Sequence, residues 1–414
     1  MTEPSQTEMN PPFRRPLFFA LGAAIVLYAI QLLTPLRLTT DGIYYLCLAD
    51  TAKQNLRAAL QQSFGFPKGY SVFVFLLMKA GLFSAATLVL SNLILFATGL
   101  LLTFRTLIRL GFERNRVIVA CLLTILSVAV VKNITQGMSD FLFFALSACA
   151  CWVMTFQSRH KWIAILPCIC AVEVRFVGLA LFVPFAFMAW SSLEKRSAVI
   201  LPVIIPLLAG LGVGIWAGRR YLFSNTGYLR NMGIVRFVAL TISLHTHDFA
   251  ELVLNIPFAR LPAWSQRFMA LLGGGAMLLF AIGVLVLRRS SPWTFFYLLG
   301  YSALILSWPF TDPRFWLPCL PFVFLAIHAG WTALLRGMPR PILLSYVVLF
   351  CALGFVALGY STWLTFSGPK FPYRYGDGKL RATYLVGCSP ATGEVNEMAL
   401  HLLRRYEWHC PAEQ

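Results

Sequence analysis

Two carboxylates, Asp41 and Asp50, and two adjoining phenols, Tyr44 and Tyr45, occupy a polar stretch between the first two apolar runs of the chain, which a Pro67-Lys68-Gly69-Tyr70 step closes. At the edge of an apolar layer a carboxylate is partly desolvated, which strengthens it as acceptor of a hydroxyl proton, the work of a general base. Asp41 follows the first apolar run by a handful of residues and is the candidate for that role. Asp50 stands nine residues later, and a helix through both puts them on different faces, so they make no close acid/base pair. A structural role is equally open for Asp41, because aspartate is a favoured N-cap and a helix can begin near Ile43.

Other groups with chemistry lie further along. Glu173 and Arg175 interrupt the apolar segment Trp162–Trp190, and ionisable groups at membrane depth mark function or a structural ion pair. Two positions apart, they do not face each other on a helix and need separate partners. Arg314 sits in Asp312-Pro313-Arg314-Phe315-Trp316-Leu317-Pro318-Cys319-Leu320-Pro321, at the end of an apolar segment broken by prolines. A guanidinium there suits bidentate binding of a lipid phosphate, and equally a side chain snorkelling to the headgroups. His245, His247, Asp248 and Glu251 are metal-ligand types and the one hint of a divalent metal. No further strong ligand follows at a diagnostic spacing, and a solvated loop is the plainer reading. The chain carries no Walker A, GxGxxG, GxSxG or HExxH pattern, so it offers no obvious nucleotide fold to hold an activated donor.

The elements that must position these groups are helices in lipid. Of 414 residues, 58% are hydrophobic and 12% charged, against roughly 25% charged in a soluble domain, and the mean hydropathy is +0.73. Apolar runs long enough for about 30 Å of hydrocarbon recur, which predicts an all-α integral membrane protein. The net charge of +18 comes from short Lys/Arg clusters between those runs, a pattern that sets orientation. No aromatic-interleaved basic domain accompanies it, and no nucleic-acid partner is expected.

Arg14-Arg15 puts the N-terminus in the cytoplasm, and Pro16–Leu36 reads as an uncleaved anchor. Alternating the basic clusters gives about eleven crossings. They continue through Gly69 to near Phe104, Val117–Val131, Phe141–Phe156, and two short helices within Trp162–Trp190 that meet near Glu173–Arg175. Val199–Ala217, Phe268–Leu287, Phe295–Phe310, Phe315–Leu335 and Ile342–Leu364 complete the set. A membrane domain, 1–364, thus carries a first outer loop, 37–68, and a long outer loop, 218–266, and an extracytoplasmic tail follows, 365–414. Of the 16 acidic residues only Glu3, Glu8, Glu113 and Glu194 fall on the cytoplasmic side, so the working face is expected outside. Most cysteines lie in or beside apolar segments and read as small hydrophobes, whereas Cys388 and Cys410 in the tail are candidates for a disulfide.

Taken in order, five stretches resemble the GT-C superfamily of membrane glycosyltransferases, which includes protein O-mannosyltransferases and lipid A aminoarabinose transferases. They are Asp41-Gly42-Ile43-Tyr44-Tyr45, Phe66-Pro67-Lys68-Gly69-Tyr70, Ser139-Asp140-Phe141, Glu173-Val174-Arg175-Phe176-Val177-Gly178, and Arg314-Phe315-Trp316-Leu317-Pro318-Cys319-Leu320-Pro321. The resemblance implies an inverting transferase of the inner (plasma) membrane. It would move a monosaccharide from a polyprenyl-phosphate donor to a glycan, glycolipid or protein hydroxyl at the outer face. Asp41 would be the catalytic base, with Tyr44, Tyr45, Asp50, Lys68, Tyr70, Asp140, Arg175 and Arg314 as substrate-binding candidates. Lys68, Arg175 and Arg314 would be the cations on the phosphate side. Gly42 stands where protein-mannosyltransferase-like members carry Glu after Asp. A transporter or flippase of a lipid-linked glycan is the alternative from another class, since it too needs outward acids and cations for a lipid phosphate.

Overall fold

The computed structural model describes residues 11–61, 67–156, 159–193, 234–257, 261–308, 310–335, 339–374 and 402. Among them the chain is all-α, its one β feature a parallel bridge between Arg37 and Gln136. In chain order the helices are α1 (Pro11–Ile30), α2 (Thr40–Gln54), α3 (Leu56–Gln61), α4 (Gly69–Lys79), α5 (Ala85–Arg109), α6 (Arg114–Ile125), α7 (Val128–Asn133) and α8 (Asp140–Met154). They continue as α9 (Ile165–Val174), α10 (Phe182–Leu193), α11 (Ile234–Leu254), α12 (Ala263–Ser290), α13 (Pro292–Leu306), α14 (Leu320–Leu335) and α15 (Arg340–Thr365). Two 3₁₀ segments, Phe176–Leu181 and Pro313–Cys319, lead into α10 and α14.

Four stretches among the described residues are long and apolar enough to cross a membrane: Ala85–Arg109, Trp264–Ser290, Pro313–Leu335 and Pro341–Thr365. Their burial separates centre from periphery, with 61% of the Pro313–Leu335 window inside the protein against 17% of Pro341–Thr365. The outer faces present Leu271, Leu278, Leu285, Val348 and Val356, the apolar surface of helices that meet hydrocarbon.

Several apolar runs that read as single passages are broken. The run from Gly69 becomes α4 and α5, because Gly81 turns the chain at φ 72° and the Ser84 side chain accepts the Thr87 N–H to start a new helix. The run Val117–Val131 divides at Leu126–Ser127 into α6 and α7. Within Trp162–Trp190, read as two short helices, the break falls where expected, at Arg175, which is extended at φ −152° and ψ 134°. The expected long loop at 218–266 contains α11, whose buried positions Thr241, His245, Asp248, Phe249 and Leu252 recur at helical spacing. Its polar residues mask that face in a hydropathy reading. Val199–Ala217, Cys388 and Cys410 lie outside the described residues.

Packing at the centre is close. A Cβ on Gly283 of α12 would lie 1.7 Å from the Ala326 carbonyl oxygen of α14, and one on Gly330 of α14 would lie 1.9 Å from that of Leu279. Bare backbones in contact are how helices gain dispersion energy where lipid supplies no hydrophobic drive. Trp316 is fully buried, its ring 4.9 Å from Phe249 and 5.8 Å from Phe280, so the 3₁₀ segment is pinned to α11 and α12. Asn255 ends α11 in the left-handed region at φ 57°, and its amide donates to the Leu126 and Phe350 carbonyls at 2.9 and 3.0 Å. Its side-chain oxygen accepts the Val128 N–H at 2.6 Å, tying the α6–α7 break to α11 and α15. These contacts predict opposite outcomes for two glycines of α12. Gly283→Val should cost about 3 kcal/mol through forced separation of the helices. Gly274→Ala, with nothing within 4 Å of an added Cβ, should gain about 0.5–1 kcal/mol. Thermal unfolding in detergent measures both.

Candidate active site

The backbone that delivers Asp41 is held by a buried polar network at the end of α1. Arg37 is 2% exposed and donates to Thr34 Oγ1 at 2.9 Å, Ser361 Oγ at 2.8 Å and Thr365 Oγ1 at 3.1 Å. Gln31 Oε1 accepts from Ser361 and Thr365. Buried donors and acceptors matched in this way fix the short segment before α2. Thr39 then caps α2, its hydroxyl accepting the Gly42 N–H at 3.0 Å. Asp41 is therefore not the cap. It lies in the first turn of α2 with its carboxylate free to reach across the protein. Gly42 has a steric cause: a Cβ there would lie 2.8 Å from Thr39 Oγ1 and 3.0 Å from the Gly137 oxygen.

Asp41 reaches Arg314. Nη2 of Arg314 meets Asp41 Oδ2 at 2.5 Å, and Nε lies 3.1 Å from Asp312 Oδ2. Asp312 also caps the 3₁₀ segment by accepting the Arg314 N–H at 3.0 Å, so the residue that starts the turn holds the side chain that follows it. Nη1 of Arg314 is 3.7 Å from Met138 Sδ. Arg175, extended between α9 and the 3₁₀ segment, pairs with Asp140, a fully buried carboxylate in the first turn of α8. The two guanidiniums share one ring: each carbon Cζ lies 5.4 Å from the centroid of Phe315. Phe315 is held in turn by its carbonyl, which accepts from Tyr301 Oη at 2.5 Å.

Tyr45 and Tyr70 complete the cluster. Their rings meet edge to face at 5.2 Å, and Ser139 Oγ donates to Tyr45 Oη at 3.4 Å. Burial pushes the Tyr45 phenol above its ordinary range, with Arg175 pulling it back, so it stays protonated at neutral pH and can donate. The hydroxyl of Tyr70 and Asp140 Oδ2 are buried without a hydrogen-bond partner among the described residues. Buried polar atoms of this kind call for water or a ligand group.

The structure thus brings together Asp41, Tyr45, Tyr70, Asp140, Arg175 and Arg314 out of the residues expected to act. Tyr44 and Lys68 are half-buried, one residue before Tyr45 and two before Tyr70. Asp50 is elsewhere: nine residues is two and a half turns, which puts it on the opposite face of α2, where it accepts from Gln54 Nε2 at 3.0 Å. Glu173 is exposed and takes no part in the Arg175–Asp140 pair.

Sequence reasoning missed Asp312, Phe315 and the pair His245–Asp248. An Asp two residues before a turn's N–H, with Pro between, is a recognisable capping signal that points to Asp312. His245 Nδ1 lies 2.7 Å from Asp248 Oδ2 and its Nε2 lies 3.1 Å from the Trp308 carbonyl oxygen. Both ring nitrogens face oxygen acceptors, so a shared proton must lie between Nδ1 and the carboxylate. Burial pushes the Asp248 carboxyl up to about 6, with the hydrogen bond to His245 drawing it back. The pair straps α11 to the loop that carries Arg314. His245 is spent on that strap, and among the described residues no group of three or more His, Cys, Asp or Glu is placed to hold a metal ion.

No protein-family model, curated protein or solved structure matches this chain.

The two ion pairs should respond differently to mutation. Asp140→Ala strands the Arg175 guanidinium in the interior and is expected to cost about 3–5 kcal/mol. Asp41→Asn leaves Arg314 paired with Asp312 at a partly open site and should cost about 1 kcal/mol or less. Unfolding followed by tryptophan fluorescence in detergent tests this, and equal losses would contradict the assignment of Asp140 as the structural carboxylate.

Proposed function

We propose that the protein is an inverting membrane glycosyltransferase that moves a monosaccharide from a polyprenyl-phosphate donor to a glycan, glycolipid or protein hydroxyl. In this reading the chain crosses the inner (plasma) membrane about eleven times, with the N-terminus inside and the Asp41 cluster at the outer face. The observation that carries it is Arg314 meeting Asp41 at 2.5 Å beside a second guanidinium, that of Arg175. A carboxylate and two permanent cations from distant parts of the chain converge on one partly open locus, and their stretches are those that resemble the GT-C superfamily.

The chemistry asks for little more. The acceptor oxygen attacks the anomeric carbon, the bond from that carbon to the phosphate oxygen breaks, and the electron pair leaves with polyprenyl phosphate. Asp41 takes the hydroxyl proton as the new bond forms. The leaving phosphate needs no proton, so a second carboxylic acid, as glycosidases require, is unnecessary. Arg314 and Arg175 stabilise the charge that grows on the phosphate. Arg314 is engaged by Asp41. A phosphate competing for the same guanidinium frees the carboxylate lone pairs, so the base becomes available when the donor is bound. Asp312 and Asp140 hold the two cations throughout, and the Tyr45 and Tyr70 hydroxyls are donors for the sugar or the phosphate oxygens.

Sugar transfer from radiolabelled polyprenyl-phosphate sugars, in membranes carrying each variant, tests the reading. Asp41→Asn should lower kcat by about 10²–10⁴-fold while donor binding persists. Arg314→Lys should lower kcat at least about tenfold, because an ammonium cannot bridge Asp312 and a phosphate as a planar fork does. Normal turnover by Asp41→Asn removes it as the base. Movement of labelled lipid across the bilayer without consumption of donor favours the flippase.

A further inference from the structure

At the far end of the same helices lies a second polar locus, independent of the proposed transfer reaction. Helix α8 starts at Asp140 in the site and ends at Met154, about 21 Å away along its axis. There a cavity of about 590 Å³ opens, within the size range of ligand sites. Arg109, the last residue of α5, and Lys161 supply its charge, and none of its described lining residues is acidic. Phe187, Met188 and Trp293 are among its apolar walls, and Ser191 adds a hydroxyl.

Arg109 is held in place by aromatic faces: its guanidinium carbon lies 4.5 Å from the Phe156 ring centroid and 5.5 Å from that of Trp152. Among the described residues it forms no ion pair. Stacking orients a guanidinium while leaving its edge N–H groups for an anion.

We propose that this cavity binds the phosphate of an anionic membrane lipid, with Arg109 and Lys161 on the phosphate and the apolar walls against its glycerol and acyl portion. The lipid source follows from the walls. Arg109 ends a helix of membrane-crossing length, and the exposed Ile108 and Trp190 nearby continue the apolar surface outward for the acyl chains. A free phosphate would use the cations and leave the apolar walls with no partner.

Native mass spectrometry of the full chain in a zwitterionic detergent tests the proposal, with phosphatidylglycerol, phosphatidylcholine and inorganic phosphate as probes. One phosphatidylglycerol should bind saturably and roughly tenfold or more tighter than phosphatidylcholine. Arg109→Gln and Lys161→Gln should each weaken it roughly tenfold, while Arg109→Lys retains most of the affinity. Lys161→Gln, at a half-buried side chain, keeps the test alive if an Arg109 variant fails to fold. Equal binding of the two lipids, or unchanged binding in the Gln variants, overturns the proposal. Displacement of phosphatidylglycerol by inorganic phosphate at comparable concentration makes this a free-anion site and overturns the lipid assignment.

Discussion

A guanidinium drawn out of water must be given back its hydrogen bonds and its counter-charge, and this requirement at Arg314 organises much of what surrounds it. Its side chain is 14% exposed, and two carboxylates answer it, Asp41 from α2 and Asp312 from its own turn. The loop that carries Asp312 is tied from behind to α11, where His245, paired with Asp248, meets the Trp308 carbonyl oxygen. Asp41 is kept in place by Thr39 and, one layer back, by the Arg37 network against α15. Arg37, Asp248 and His245 among these supports are themselves buried and polar, so losing one leaves others unpaired in the interior.

The same constraint accounts for the broken helices. An unbroken helix through Arg175 would carry its charge along an apolar face, whereas extended backbone at that residue turns the side chain to Asp140. Pro313–Cys319 is tighter than an α-helix and lets Arg314 and Trp316 project differently, one into the ionic cluster and the other into aromatic core. The regular helices behind them gain their stability from close backbone approach, as at Gly283 and Gly330. At Arg175 and at Pro313–Cys319 the irregular backbone thus coincides with the residues that carry charge.

Two polar loci at opposite ends of α8 give the molecule an axis. One mixes acids and cations under phenols, and the other, at Arg109 and Lys161, has cations against apolar walls. A locus with both signs can move a proton and hold an anion, whereas the described lining at Arg109 and Lys161 offers charge for an anion.

Composition and period settle part of this protein from the sequence alone. Low charge, long apolar runs and the scatter of basic clusters suffice for an all-α chain with helices of membrane-crossing length, because hydrocarbon leaves the backbone few other options. The rule that a charge kept in an apolar stretch has a reason pointed to Arg175, which pairs with Asp140, and equally to Glu173, which is exposed and takes no part in that pair. Which charges pair was not legible. Asp41 and Arg314 are 273 positions apart, and Arg175 and Asp140 are 35 apart. Local sequence carries nothing about contacts at that range. The nine-residue spacing put Asp41 and Asp50 on different faces of a helix, but did not say which face meets Arg314. The capping role first open to Asp41 passed to Thr39 because an N-cap is decided by the φ and ψ of one residue, which composition does not specify. Pairing, burial and backbone angle are properties of the packed chain, and tertiary structure alone decided them.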